Sequence, residues 1–536
     1  MKRIAIAALC LALCSVSYAE TKDSTPKEKK AKKEVKYDEN GKIIKTGLNF
    51  GPLPAVAFDA DKGFQLGGIL NIYNFGDGSK YPNYFSKWYL EASYFTKGSM
   101  LFQVQYDNKE LIPGIRWSSA ASLTIDKAFD FYGFNGYQSF YDADRIAASN
   151  NKKDIKKGLA EPNPYLYRYT PFYRFSKSTF FFKTDFIGHI TDHFYWEAGY
   201  HFRYFHQDEI DRVSINKNKD YYDTFPSGPD TYKNAKFPDG MEPVIDDRPY
   251  QPTLFELYKS WGIIGENEIY DKNGKANMFD SSVRLGLMYD SRDKEGAPSR
   301  GIWAEGHVLA SPKWLGSSVS NYRYSLTFRQ YVPLVKNDIL TFAYRLNYEG
   351  TIGKFSPYYT YPYITVVGND GDKDGNGGYR TVRGILRDRV MGLDQASYTA
   401  EFRYKFVDFR MGKQNVAFSI TAFSDGAMVT RQRDITYKGD GSDYAVYEAF
   451  MSGRLDEHNY PEKYIKVIDN GAYGKIKTLK EMPHITAGLG LRFIMNSNFI
   501  VAAEYGMPIT RFFNEKNPYR MQDGKGAFYI NTGYLF

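Results

Sequence analysis

The chain has 536 residues, 43% hydrophobic and 25% charged, with a net charge of +8. A mean hydropathy of −0.51 excludes a polytopic helical membrane protein, which needs several apolar runs of about 18 residues or more, and the apolar content excludes global disorder. The 70 basic and 62 acidic residues are interspersed, so the positive balance does not point to nucleic acid. The unusual quantity is aromatic: six Trp, 47 Tyr and 39 Phe, 17% of the chain. An outer-membrane β-barrel uses such a load, with apolar residues toward lipid and aromatic girdles at both interfaces. Half of each strand faces the lumen, which keeps the mean hydropathy low.

Met1-Lys2-Arg3 is a basic start, and Ile4 to Cys14 is an apolar run of signal-peptide length. Ser17 and Ala19 place small residues where a signal peptidase requires them, so residues 1–19 are expected to be cleaved before Glu20. The run is too short to span a bilayer, and Leu13 before Cys14 does not fit a lipoprotein signal. Both cysteines, Cys10 and Cys14, lie in this segment, so the mature chain is expected to have no disulfide, thiolate nucleophile or cysteine metal ligand. Residues 20–48 are rich in Lys and Glu, as in the stretch Lys27 to Glu34, and nearly free of apolar residues. They are expected to form a disordered periplasmic arm.

From residue 49 to 536 the period is two. Tyr398, Ala400, Phe402, Tyr404 and Phe406 alternate with Ser397, Thr399, Glu401, Arg403 and Lys405. Phe194, Trp196, Ala198, Tyr200 and Phe202 alternate with Tyr195, Glu197, Gly199, His201 and Arg203. About sixteen strands are expected, an even number as single-chain bacterial barrels have. Their centres fall near Ala57, Leu70, Leu90, Val104, Ala121, Lys183, Tyr200, Leu287, Gly306, Leu326, Tyr344, Phe402, Ile420, Leu489, Ala503 and Asn531. Long connections then alternate with short turns. This parity implies a periplasmic N-terminus and long extracellular loops, with the barrel closed between its first and last strands. Pro52 and Pro54 weaken pairing in the first strand, because proline cannot donate to a ladder. The chain ends on aromatic residues, Tyr534 and Phe536, which resemble the assembly signal of bacterial outer-membrane barrels. The expected location is the outer membrane of a Gram-negative bacterium.

Four stretches resemble the BamA/TamA superfamily of outer-membrane assembly and translocation barrels, also called the bacterial surface antigen family. Ala55 to Gly68 is similar to the family's opening hairpin, with a short acidic-glycine loop. Asp290, Arg292 and Asp293, followed by Pro298 and Gly301, resemble its Asp-x-Arg-Asp…Pro-x-x-Gly turn. Val382-Arg383-Gly384 resembles its Val-Arg-Gly motif in the sixth outer loop. Glu401-Phe402-Arg403 and Phe423-Ser424-Asp425-Gly426 resemble its Glu-x-Arg and Phe-x-Asp-x-Gly motifs. Two departures stand out: Ile385 replaces the aromatic of the loop motif, and Gly426 comes one place early. The resemblance implies that the sixth loop folds into the lumen and that Arg383 contacts inner-wall partners there, Asp425 and also Glu401, with Arg403 beside them. It implies a role in inserting or translocating outer-membrane components; a channel or structural barrel of the same ancestry is the alternative. Only about 30 mature residues precede the first strand, and a domain needs roughly 50 or more, so the chain resembles the branch without periplasmic polypeptide-transport-associated domains.

Asp370, Asp372 and Asp374 with Gly375 fit half of a calcium loop, but its twelfth position is Thr381 and lacks the bidentate carboxylate. No metal and no cofactor are expected. The seven histidines form no HExxH pattern, and there is no Walker loop or G-x-S-x-G elbow, so no enzyme is expected. The expected partners are outer-membrane lipid and the host machinery that inserts barrels. An accessory periplasmic or outer-membrane protein, or a homodimer, remains open.

Overall fold

A computed structural model describes residues 36–37, 43–59, 63–141, 172–208, 253–365 and 373–532, apart from 82, 97, 296, 413, 453–454, 456–458 and 497–498. The expected signal peptide, most of the 20–48 arm, Asp370, Asp372, the Asp374 side chain, Tyr534 and Phe536 lie outside these residues. The chain divides into two units, 1–43 and 44–536. The first shows a two-residue strand at Lys36–Tyr37, within the arm expected to lack structure.

The second unit carries sixteen long strands. They are β1 (Leu48–Asp59), β2 (Gly63–Asn74), β3 (Ser86–Phe95), β4 (Met100–Ile112), β5 (Ile115–Asp130), β6 (Arg174–His189), β7 (Phe194–Asp208) and β8 (Asn277–Asp290). After these come β9 (Gly301–Ser311), β10 (Asn321–Pro333), β11 (Leu340–Thr351), β12 (Asp394–Met411), β13 (Gln414–Arg431), β14 (His484–Met495), β15 (Phe499–Pro508) and β16 (Ala527–Thr532). All sixteen centres read from the sequence fall inside them. The strands form one antiparallel sheet in which each pairs with its neighbours in the chain. This is the wall of a β-barrel.

The alternation explains both the strands and their orientation. On β10, Arg323, Ser325, Thr327 and Arg329 are buried, while Tyr322 and Leu326 are exposed. On β12, Thr399, Glu401 and Arg403 are buried, while Phe402 and Tyr404 are exposed. Leu285, Leu287, Leu346, Ile420 and Leu489 continue the exposed apolar band around the wall. A water-facing sheet would reverse this pattern; a band of this extent suits lipid outside and a polar lumen inside.

At one end of the barrel the strands are joined by turns. At the other they are joined by loop three (131–173), loop four (209–276), loop six (352–393), loop seven (432–483) and loop eight (509–526), besides shorter connections. The described parts of these loops are not extended chain. They carry α1 (Leu254–Ser260), α2 (Tyr444–Met451) and a hairpin over 465–479, and they pack into a cap. Thr253 and Glu256 close the start of α1 in a reciprocal capping box. The cap has an aromatic core in which Phe131 meets Phe255 and Tyr258 edge-on, and Trp261 meets Tyr447. Arg433 crosses this core, with Nη2 at 2.5 Å from Glu268 and its guanidinium over the Phe134 ring.

The junction of the first and last strands departs from the expected closure. Backbone hydrogen bonds link Gly47 to Phe75 and Gly76, and the β1–β2 register then runs unbroken from Leu48 to Asp59. Odd-numbered residues of β1 therefore turn their N–H and C=O toward β2, and even-numbered ones face the opposite edge. Pro52 and Pro54 are even, so two N–H donors are missing from that edge. β16 lies beside β1, but no ladder joins them among the described residues.

Candidate functional site

Loop six enters the lumen and presents Arg383 to the wall formed by β12 to β15. Nε of Arg383 lies 2.7 Å from Oδ2 of Asp425 and Nη2 lies 2.9 Å from Oδ1, a bidentate pair. The Arg383 backbone N–H also donates to Asp425, at 3.0 Å. Nη1 lies 2.8 Å from Glu401 and 2.9 Å from Glu504. The guanidinium rests 3.5 Å from the centre of the Phe423 ring. That ring fits because position 488 is glycine: a Cβ there would lie 2.2 Å from the ring. Burial works against the charge on Arg383, but Asp425 and Glu401 hold it above the ordinary guanidinium range.

The neighbours of Arg383 in the motif position it. Gly384 has φ +99°, and a Cβ there would lie 2.4 Å from the backbone of Gly506 on β15. Its N–H donates to the Tyr529 hydroxyl of β16 at 3.0 Å. Val382 and Ile385 are buried in an apolar cluster with Val390, Ala427 and Val429. The aliphatic residue at 385 thus fills a small apolar space beside the wall.

A second layer completes the knot. Arg492 contacts both oxygens of Glu401, at 3.0 and 2.8 Å, and Glu504 at 2.8 Å. Arg403 Nε lies 2.8 Å from Glu401. Arg383, Arg403 and Arg492 therefore face Asp425, Glu401 and Glu504, three charges of each sign. Such a set is stable in a confined lumen only if complete, because a lone buried charge costs several kcal/mol. Its chemistry is that of an anchor: carboxylate oxygens face guanidinium forks, and the loop is held at Arg383.

The structure brings Val382, Arg383, Gly384, Asp425, Glu401 and Arg403 together. It does not bring the turn residues to them. Asp290, Arg292, Asp293 and Gly301 organise the β8–β9 connection at the short-turn end. Arg292 is bidentate on Asp290, at 2.9 and 2.7 Å, with its guanidinium over Trp303. Asp293 accepts from the Ser299 hydroxyl and N–H and from the Arg300 N–H, and Gly301 opens β9. From the same turn Glu295 reaches Lys109 on β4, at 2.6 Å.

Sequence reasoning missed Glu504, Arg492 and Tyr529. A signal for the first two existed: Glu504 is the single charged residue of β15, and Arg492 the single Lys, Arg, Asp or Glu of β14. A lone charge in an otherwise apolar wall strand must face the lumen. A further lumen cluster was also missed. Arg284 bonds Asp185 at 2.7 Å and also Glu197, and Arg329 bonds Glu305 at 2.7 Å. Among the described residues no group of His, Cys, Asp and Glu has the arrangement of a metal site.

The Omp85 superfamily domain matches residues 135–536. No curated protein sequence matches the chain. Among solved structures, BamA from Haemophilus ducreyi lacking POTRA domains 1–3 is similar at 13% identity and a TM-score of 0.43, covering 93% of this chain and 74% of that one. CdiB from Escherichia coli is similar at 9% identity and a TM-score of 0.42, covering 91% of this chain. CdiB from Acinetobacter baumannii is similar at 11% identity and a TM-score of 0.37, covering 92% of this chain. This chain spans 62% and 61% of the two CdiB chains.

Proposed function

This chain belongs to the Omp85 superfamily of outer-membrane β-barrels, and on that premise we propose that it inserts or translocates outer-membrane components through the junction of β16 and β1. The short turns face the periplasm and the long loops face outward. The observation that carries this reading is the junction itself. β1 and β16 lie side by side without a ladder among the described residues, and β1 lacks two donors on that edge. An unpaired strand edge is a template for another strand. A client segment that pairs there gains backbone hydrogen bonds while its apolar face meets lipid. The Arg383 knot fixes loop six against β12 to β15, which keeps one side of the junction rigid while the other moves.

The test is reconstitution. Purified protein in liposomes should accelerate insertion of an unfolded small barrel over empty liposomes. A disulfide engineered between β1 and β16 should abolish that acceleration, and reduction should restore it. No acceleration by a correctly folded sample, together with large single-channel conductance, would replace this reading with that of a channel. Activity that survives the closed disulfide would remove the junction from the mechanism.

A further inference from the structure

Loop eight leads from β15 into β16, and loop three leads out of β5. The β16–β1 junction lies between them, together with β1 to β4. The two loops are nonetheless bonded to each other. The Tyr141 N–H donates to Oε1 of Gln522 at 2.8 Å, and Nε2 of Gln522 donates to the Tyr141 carbonyl at 3.0 Å. The Tyr137 hydroxyl donates to Asp523, and the Tyr137 ring stacks on His484, whose Nδ1 lies 2.6 Å from the same carboxylate.

Loop six binds both loops at once. Nε of Arg389 donates to the Gln522 carbonyl of loop eight at 3.0 Å. Nη1 and Nη2 donate to the Gly136 and Ser139 carbonyls of loop three, at 2.6 and 2.9 Å. The side chain is fully buried. Two residues earlier, Arg387 reaches Asp126 on β5 at 3.0 Å, and six residues earlier Arg383 holds β13 and β15. One short stretch of chain thus grips the wall on both sides of the junction.

We propose that loops three, six and eight form a clasp over the β16–β1 junction, pinned by Arg389, and that the junction opens only when this clasp releases. The inference rests on the reading that the junction is where clients pass. Admitting one strand widens the wall by about 4.8 Å, which no hydrogen bond between the two sides survives. Separating loop three from loop eight would also strip partners from a buried guanidinium, so partial opening is penalised and the clasp is either shut or released.

The experiment measures the junction directly. In the full chain with Cys10→Ser and Cys14→Ser, spin labels are placed at Phe50→Cys on β1 and Ile530→Cys on β16, and their distance distribution is recorded in lipid. Arg389→Ala and, separately, Gln522→Leu should each add a population longer by at least one strand spacing, about 4.8 Å. Gln522→Leu keeps the test decisive if Arg389→Ala does not fold. Tyr447→Phe, which removes a buried hydroxyl bonded to Ile435 and Asn470 within loop seven, should leave the distribution unchanged. Unchanged distances in a folded clasp variant, or equal widening in Tyr447→Phe, would overturn the proposal. Widening without any change in the insertion rate would keep the clasp and reject the function proposed for the junction.

Discussion

The wall and the cap of this protein differ in what fills most of their interiors. The lumen side of the wall encloses Arg284, Arg383, Glu401 and Asp425, while Leu285 and Leu326 stand exposed. The cap encloses Phe131, Tyr258, Trp261 and Tyr447, as a water-soluble domain does. One chain follows two burial rules because its two parts meet two solvents. Lipid outside the wall accepts apolar side chains and rejects charge, so charge turns inward and must be neutralised there. Water around the cap drives rings inward by the hydrophobic effect. Exposure by itself therefore does not tell which residues are exchangeable.

Four substitutions test this contrast. The largest effect is expected from Arg383→Ala, which leaves Asp425 without its bidentate partner. Breaking a buried pair costs about 3–5 kcal/mol, and it should appear as protease-sensitive loop six and a lower denaturation midpoint. Trp261→Ala should cost a similar amount, about 3–5 kcal/mol, but inside the cap. Limited proteolysis should then cut the loops while the barrel keeps its heat-modifiable migration on gels; loss of the barrel itself would mean that the two regions are one cooperative unit. Leu285 and Val467 give the sharpest comparison, since both are exposed, by 60% and 55%. Leu285→Lys on the wall should cost about 2–4 kcal/mol in lipid vesicles, because the charge meets hydrocarbon. Val467→Lys on the loop-seven hairpin should stay within about 0.5 kcal/mol, because it meets water. Equal costs for the two would erase the contrast.

Legibility in the sequence followed the range of the interaction. Strand centres were readable because a period of two is local: the face of Phe402 is decided by its immediate neighbours. The approach of Arg383 to Asp425 came from family resemblance together with the inward parity of Asp425. Glu504 and Arg492 could have been added on the same parity, each being an isolated charge in its strand. The cap core was not readable. Leu254, Trp261, Ile435 and Tyr447 belong to loops without strand periodicity, and their contacts join segments far apart in the chain. Nor was the edge of β1 on which Pro52 and Pro54 act, since that required the hydrogen bonds of Gly47.

The positions and order of the strands, and the split of their residues into an apolar and a polar face, were already present in the amino-acid pattern, because alternation and short turns act between residues close along the chain. The folded chain alone shows that the two edge strands meet without a ladder among the described residues, that Arg383, Arg403 and Arg492 gather on Asp425, Glu401 and Glu504, and that loop three reaches loop eight. These depend on where groups separated by hundreds of residues come to rest once the wall has curved. A buried charge or carbonyl takes whichever partner the fold brings within hydrogen-bonding distance, and no local pattern encodes that choice.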